Sequence, residues 1–263
     1  MSRQIEFEKL PNTRDLGGMI TADGRKIKPG KLIRSGHLVE ASETDQEKLA
    51  GLVDTVVDFR TDTECEERPE PRIKGTRYCH LPILEEAKAG VTRDEASYEE
   101  VRKNMLDDAE ISRQYMRRIY GGFITSRHCR SQYEKFVRIL LEDHEKAVLW
   151  HCTAGKDRAG FGTVIVQELL GVGKEDIRQD YLMTNICLEQ DINGIVRNVL
   201  KKAEHPSDES EKALRYMFAA WEDYLDGAYA LIAERYGDFD AYIREGLHIN
   251  DAEREQLKQM YLE

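Results

Sequence analysis

Ala147-Val148-Leu149-Trp150-His151-Cys152-Thr153-Ala154-Gly155-Lys156-Asp157-Arg158-Ala159-Gly160 is the stretch from which the fold can be read. Ala147 to His151 is a short apolar run, the pattern of a strand buried on both faces. It enters a loop bearing Gly155, and an apolar helical segment from Phe161 to Leu170 follows, closed by Gly171 and Gly173. Strand, glycine loop and helix in that order gather successive backbone N–H groups and a helix N-terminus around one point. That is what an anion cradle requires.

The side chains in this loop suit phosphoryl chemistry. A thiol beside cations at a helix N-terminus is shifted toward the nucleophilic thiolate, so Cys152 is the candidate nucleophile, able to form a cysteinyl-phosphate. Arg158 carries the planar fork that grips two phosphoryl oxygens. Thr153, Ala154, Gly155, Lys156 and Asp157 complete the candidate phosphate-binding loop, with Lys156 adding charge at its mouth. Arginine and backbone donors can supply the electrostatics themselves, so no metal or other cofactor is expected.

Working outward, Lys31 to Ser35 and the β-branched run Val53 to Phe59 read as strands, and Arg77 to Leu81 as another. Ser42-Glu43-Thr44-Asp45 resembles a capping box opening a helix toward Gly51, and Gln132 to Leu141 has a helical apolar period. Arg60 to Glu67 reads as a polar loop. Strands alternating with helices imply an α/β fold with a mainly parallel sheet flanked by helices. Ligands bind such sheets at the carboxyl ends of the strands, here just after Val57 and Trp150.

Residues 85–125 are expected to form a helical lid or insertion, and residues 174–263 a helical C-terminal part. Leu214, Met217, Phe218, Trp221, Tyr224, Leu225, Leu231 and Ile232 trace one helical face there. Without a linker or repeat, residues 1–263 read as one domain.

With the loop and Asn12-Thr13-Arg14-Asp15-Leu16-Gly17-Gly18 both in view, the chain resembles a known family. It is similar to the bacterial tyrosine-phosphatase-like cysteine phosphatases of dual lipid and protein specificity. Their loop reads HCTAGKDRTG and their N-terminal signature is close to NFRDLGG. Tyr236 to Ile243, with Gly246-Leu247, matches their tail as well.

The resemblance implies a metal-independent phosphatase with Cys152 as nucleophile and Arg158 as phosphate clamp. It also associates Lys156 and Asp157 with activity on phosphoinositides as well as phosphotyrosine. The chain departs at Ala159, where the family has a threonine or serine whose hydroxyl eases release of the sulfur. Loss of that hydrogen bond, about 1.5–3 kcal/mol, points to slow breakdown of the intermediate, or to a phosphatase-like module that only binds phosphate.

A departing alkoxide or phenoxide needs a proton, and a carboxylic acid is the usual donor. Asp157 lies in the loop, while Asp58 lies at the end of the neighbouring strand. Asp58 can equally be a strand-end carboxylate paired with Arg60, and Asp157 a helix N-terminal carboxylate favoured by the dipole. Asp62 is a third candidate. Arg14 and Asp15 read as a pair bracing the N-terminal loop against the sheet. His128-Cys129, a second His-Cys pair, lacks a glycine loop and reads as structural.

Of the 263 residues, 40% are apolar and 34% charged, enough apolar content to exclude wholesale disorder. The net charge of −11 argues against a nucleic-acid partner. Residues 111–138 invert it, with seven basic side chains against Glu134 alone. That stretch reads as a rim for a phosphorylated protein or phosphoinositide, allowing transient membrane-surface contact, or as a solvated basic helix beside the acidic residues 85–110. No run has the ~18 apolar residues of a membrane span. The first eight residues lack the apolar core of a secretory signal, and the five cysteines form no CxxC pair. A cytoplasmic location is expected.

Overall fold

The computed structural model describes residues 2–85, 106, 108–203 and 205–263. Its centre is β6 (Ala147–His151), all five of whose residues are buried. Val148 and Trp150 point into one apolar cluster, which also holds Phe136 and Phe161, while Ala147 and Leu149 point into another with Val53, Val56 and Leu49. A strand buried on both faces must be apolar throughout, which is why this one stood out in the sequence.

β6 lies between β3 (Leu32–Ser35) and β4 (Val53–Asp58), and β5 (Arg77–His80) flanks β4. These three pairings are parallel. β1 (Arg3–Gln4) and β2 (Arg14–Asp15) extend the β3 edge antiparallel, giving the order β1-β2-β3-β6-β4-β5. The α/β fold with a mostly parallel sheet is therefore present. Ser35, His151 and Asp58 share one register level, so β3, β6 and β4 end together.

Helix α1 (Glu43–Leu52) opens on the expected capping box, with Ser42 and Asp45 bonding reciprocally. Residues 60–67 differ from expectation. The expected loop contains α2 (Asp62–Glu67), nucleated by a second capping box between Thr61 and Glu64. Helix α3 (Ala109–Thr125) buries Met116, Tyr120, Phe123 and Ile124. Of the expected lid at 85–125, residues 86–105 and 107 lie outside the described residues. Helix α4 (Arg127–Leu140) buries Cys129, and His128 Nε2 sits 2.7 Å from the Pro82 carbonyl, so the second His-Cys pair belongs to packing.

Helix α5 (Arg158–Leu170) follows the glycine loop and ends at Gly171, whose φ of 84° is the left-handed conformation glycine adopts without cost. Beyond it come α6 (Lys174–Cys187), α7 (Glu189–Lys202), α8 (Asp208–Phe218), α9 (Glu222–Tyr236), a short turn over Phe239–Ala241, a π-turn over Tyr242–Gly246 and α10 (Asp251–Tyr261). The face traced through Leu214, Tyr224 and Ile232 is therefore carried by two helices. The break is pinned by Asn185, which donates to Ala220 O (2.8 Å) and accepts from Ala220 N (2.7 Å). The cluster on the α5 side of the sheet runs from Leu16 to Leu262, so the C-terminal helices share the core of the sheet.

Candidate active site

The loop after β6 is shaped by one glycine. Gly155 has φ of 72°, and a Cβ there would lie 2.4 Å from Ser35 O. Only glycine fits both demands. The loop carbonyls then face backward: Thr153 O accepts from His37 N (3.0 Å), Ala154 O from Asn12 Nδ2 (2.9 Å) and Gly155 O from Arg34 Nη2 (2.7 Å). Among the described residues, no amide from Thr153 to Asp157 donates to a protein acceptor. Asp157 stands at the N-cap of α5 without a side-chain capping bond. The loop's donors and the helix N-terminus are thus left for a ligand.

Cys152 opens this loop with 2% of its surface exposed. The Arg158 guanidinium is held by Glu64 of α2, donating from Nη1 and Nη2 to the two carboxylate oxygens at 2.5 and 2.8 Å. The Thr153 hydroxyl donates to the same carboxylate at 2.5 Å. Burial opposes charge on both partners, yet their mutual bonds win: Arg158 is pushed up, and Glu64 is drawn down to about 2. Glu64 thus fixes the fork's orientation. It was missed in the sequence because residues 60–67 read as a loop, although Thr61-x-x-Glu64 is a legible capping box.

Asp157 accepts a hydrogen bond from the Tyr120 hydroxyl at 3.0 Å, and the Tyr120 oxygen lies 2.7 Å from that of Tyr181. Burial and the Asp157 charge push both tyrosines well above their usual values. They remain neutral donors, holding a carboxyl that keeps 23% of its side chain exposed at the mouth of the loop. Lys156 behaves otherwise. Its Nζ turns away to the end of α8, donating to Met217 O at 2.5 Å and Ala219 O at 3.2 Å, with Asp157 Oδ1 at 3.5 Å.

Asp58, at the end of β4, is gripped by Arg60. The Nε and Nη2 of Arg60 reach its two oxygens at 2.7–3.1 Å, and the backbone N of Arg60 donates as well. Burial raises its pKa, but His151 and Arg60 outweigh burial and hold it far below the carboxylate range. Asp58 is an ionised acceptor in the pairing that was one of its two expected readings. Asp62 is exposed, 3.5 Å from His80. Asp58, Glu70 and His151 could together ligate a cation. The Arg60 guanidinium already sits 2.7 Å from Asp58 and 3.4 Å from Glu70, answering their charge.

His151 lies between Asp58 (3.7 Å) and Glu70 (3.3 Å), fully buried. Burial favours the neutral ring, but the two carboxylates win and its pKa rises above the ordinary 6.5. A raised value means that the folded chain holds this proton more tightly than the unfolded one. The contribution to stability is whole below pH 6.5 and is lost as pH rises through the raised value. Urea denaturation at intervals from about pH 6 to 9 should show stability falling, and His151→Asn should flatten that limb. An unchanged slope in the variant would remove His151 as its source.

Four of the seven basic side chains at 111–138 are engaged within the chain, while Arg118, Arg127 and Lys135 are exposed. Arg113 and Arg117 both pair with Asp223 at 2.8 Å, Arg130 donates to Ile124 O and Thr125 O, and Arg138 bonds Glu134 and Glu253. No helix among the described residues is long and apolar enough to cross a membrane.

Comparison with known proteins adds an independent line. A family model described as the tyrosine phosphatase family matches residues 5–263. A Cupriavidus necator protein that carries a tyrosine-protein phosphatase name is 31% identical over 98% of this chain and 88% of its own. The triple specificity protein phosphatase PtpB of Mycobacterium tuberculosis is 26% identical over 89% of this chain and 90% of its own. A tyrosine-protein phosphatase of Nostoc commune is 24% identical over 86% and 72%.

Proposed function

The chain belongs to the tyrosine phosphatase family and is a phosphatase, and on that premise we propose that it hydrolyses phosphotyrosine through a cysteinyl-phosphate on Cys152. The Cys152 thiolate attacks phosphorus, and the bond to the tyrosyl oxygen breaks as Asp157 gives that oxygen its proton. Arg158 and the loop amides hold the equatorial oxygens, where transition-state charge gathers. Water then attacks phosphorus, its proton passes to Asp157, and the sulfur leaves as thiolate. The observation that carries this reading is the backing of the Thr153, Ala154 and Gly155 carbonyls, which turns the loop's donors toward one ligand position beside Cys152.

Asp157 is preferred to Asp58 as the acid because Asp58 is ionised inside the Arg60 clamp. Phosphotyrosine is preferred to phosphoinositides because Lys156 is spent on the Met217 and Ala219 carbonyls, and Arg113 and Arg117 on Asp223. The chain is proposed to work as one domain. A reducing, cytoplasmic setting suits its five cysteines, none of them in a disulfide.

Turnover of a phosphotyrosine peptide, a phosphoserine peptide and a phosphoinositide, measured in parallel, tests the substrate class, with the phosphotyrosine peptide expected to rank first. Asp157→Asn should lose about 10²–10⁴-fold on that peptide and much less on p-nitrophenyl phosphate, whose leaving group needs no proton. Equal losses on both would remove Asp157 as the acid, and a preference for phosphoinositide would overturn the substrate assignment.

A further inference from the structure

A peptide unit shows a ligand either its N–H or its carbonyl, and a carbonyl turned into the loop would repel an anion. The carbonyl of Gly155, at the tightest point of the loop, is held back by a charged donor, Arg34 Nη2 at 2.7 Å, and its neighbour Ala154 by Asn12. Arg34 is 1% exposed and reaches Asp180 Oδ2 from Nη1 at 3.2 Å. Arg14, fully buried, shares the same aspartate, with Nη1 4.0 Å from Oδ1 and 3.1 Å from the Asp180 carbonyl. Gln167 and Ser2 also donate to Asp180. Neither Arg14 Nε nor Arg34 Nε has a protein acceptor.

Two guanidinium groups against one carboxylate leave a surplus positive charge in the interior, which is costly to bury. Burial, then the neighbouring Arg34, draws the Arg14 pKa down to about 10 despite Asp180. A pair built for stability alone would balance. This one is unbalanced immediately behind the loop where a phosphoryl dianion would sit.

We infer that Arg34, Arg14 and Asn12 are positioning residues that set the loop's affinity for phosphate from behind. Arg34 and Asn12 turn the Gly155 and Ala154 carbonyls away, and the surplus charge of the Arg14–Asp180–Arg34 trio is balanced when the dianion binds. The inference rests on the proposed reading of this loop as the phosphate site, and its test separates the two.

Inorganic phosphate is titrated calorimetrically into wild type, Asn12→Ala, Arg14→Gln, Arg34→Lys and Arg34→Gln, each confirmed folded by circular dichroism. Arg34→Gln should weaken binding about 10- to 150-fold, with partial recovery in Arg34→Lys. Asn12→Ala, which removes a neutral donor, should weaken it about 2- to 10-fold. Arg14→Gln is the most discriminating variant, because the hydrogen bonds of Arg14 go to Asp180 O and Thr184 Oγ1 rather than to the loop, and the Arg34–Asp180 pair stays balanced. It should still weaken phosphate by about 5-fold or more.

A brace that only supports the fold would lower the melting temperature and leave phosphate affinity unchanged. Wild-type affinity in folded Arg14→Gln and Asn12→Ala overturns the inference, and these two carry the test if Arg34→Gln does not fold. Wild type that fails to bind phosphate would overturn the reading of the loop itself, and this inference with it.

Discussion

Cys152→Ser should lower kcat on an aryl phosphate by about 10⁴- to 10⁶-fold, the scale seen when a covalent catalyst loses its nucleophile. The exchange replaces a sulfur by an oxygen at a position with 2% exposure, so packing changes little. A serine hydroxyl is a far weaker nucleophile than a thiolate unless a base activates it. The adjacent histidine is badly placed to serve, since the His151 ring nitrogens lie against Asp58 and Glu70, whose charges favour its protonated form. The loop amides and Arg158 remain, so inorganic phosphate should bind the variant at close to wild-type affinity. Turnover within tenfold of wild type would remove Cys152 from the chemistry.

Arg158→Lys should cost about 10³- to 10⁵-fold in kcat/KM, the range for a charge clamp on a transferring phosphoryl group. Charge is conserved in this exchange, so the loss isolates the fork. A lysine ammonium cannot bond both Glu64 oxygens and two phosphoryl oxygens in fixed geometry. Glu64, which holds the Arg158 guanidinium in the wild type, would compete with substrate for the ammonium. The variant should therefore lose phosphate affinity as well as rate, whereas Cys152→Ser should lose rate alone. A variant with unchanged phosphate affinity would place Arg158 outside the binding site.

Much of the fold and the loop could be read in advance because the deciding signals are local. β6 is apolar along its whole length since both faces of the sheet are covered, and the glycine and arginine of the loop follow at fixed spacing. Other features depend on partners distant in the chain. Asp58 could not be told from a proton donor until His151 was seen beside it, adding to the Arg60 clamp that holds it ionised. Lys156 looked like a phosphate ligand, yet its ammonium finds carbonyls 61 and 63 residues away.

The basic run at 111–138 read either as a rim for polyanions or as a solvated helix, and the distant Asp223 and Glu253 meet three of its arginines. Helix α2 is only six residues long and buries none of them, so no apolar period announces it. Its capping box was the one local sign, and it placed Glu64 on Arg158. Arg14 was legible as a brace, but its partner proved to be Asp180 of α6 rather than Asp15.

The central claim is that phosphate passes through a covalent bond to Cys152. Rapid quenching of the enzyme with a ³²P-labelled phosphotyrosine peptide, followed by peptide mapping, tests it most directly. Ala159 supplies no hydroxyl to the sulfur, so breakdown should limit turnover and the intermediate should accumulate. Label approaching one phosphate per chain, confined to the peptide bearing Cys152, is the predicted result. Label on another residue, or steady hydrolysis with none trapped at any quench time, would contradict it.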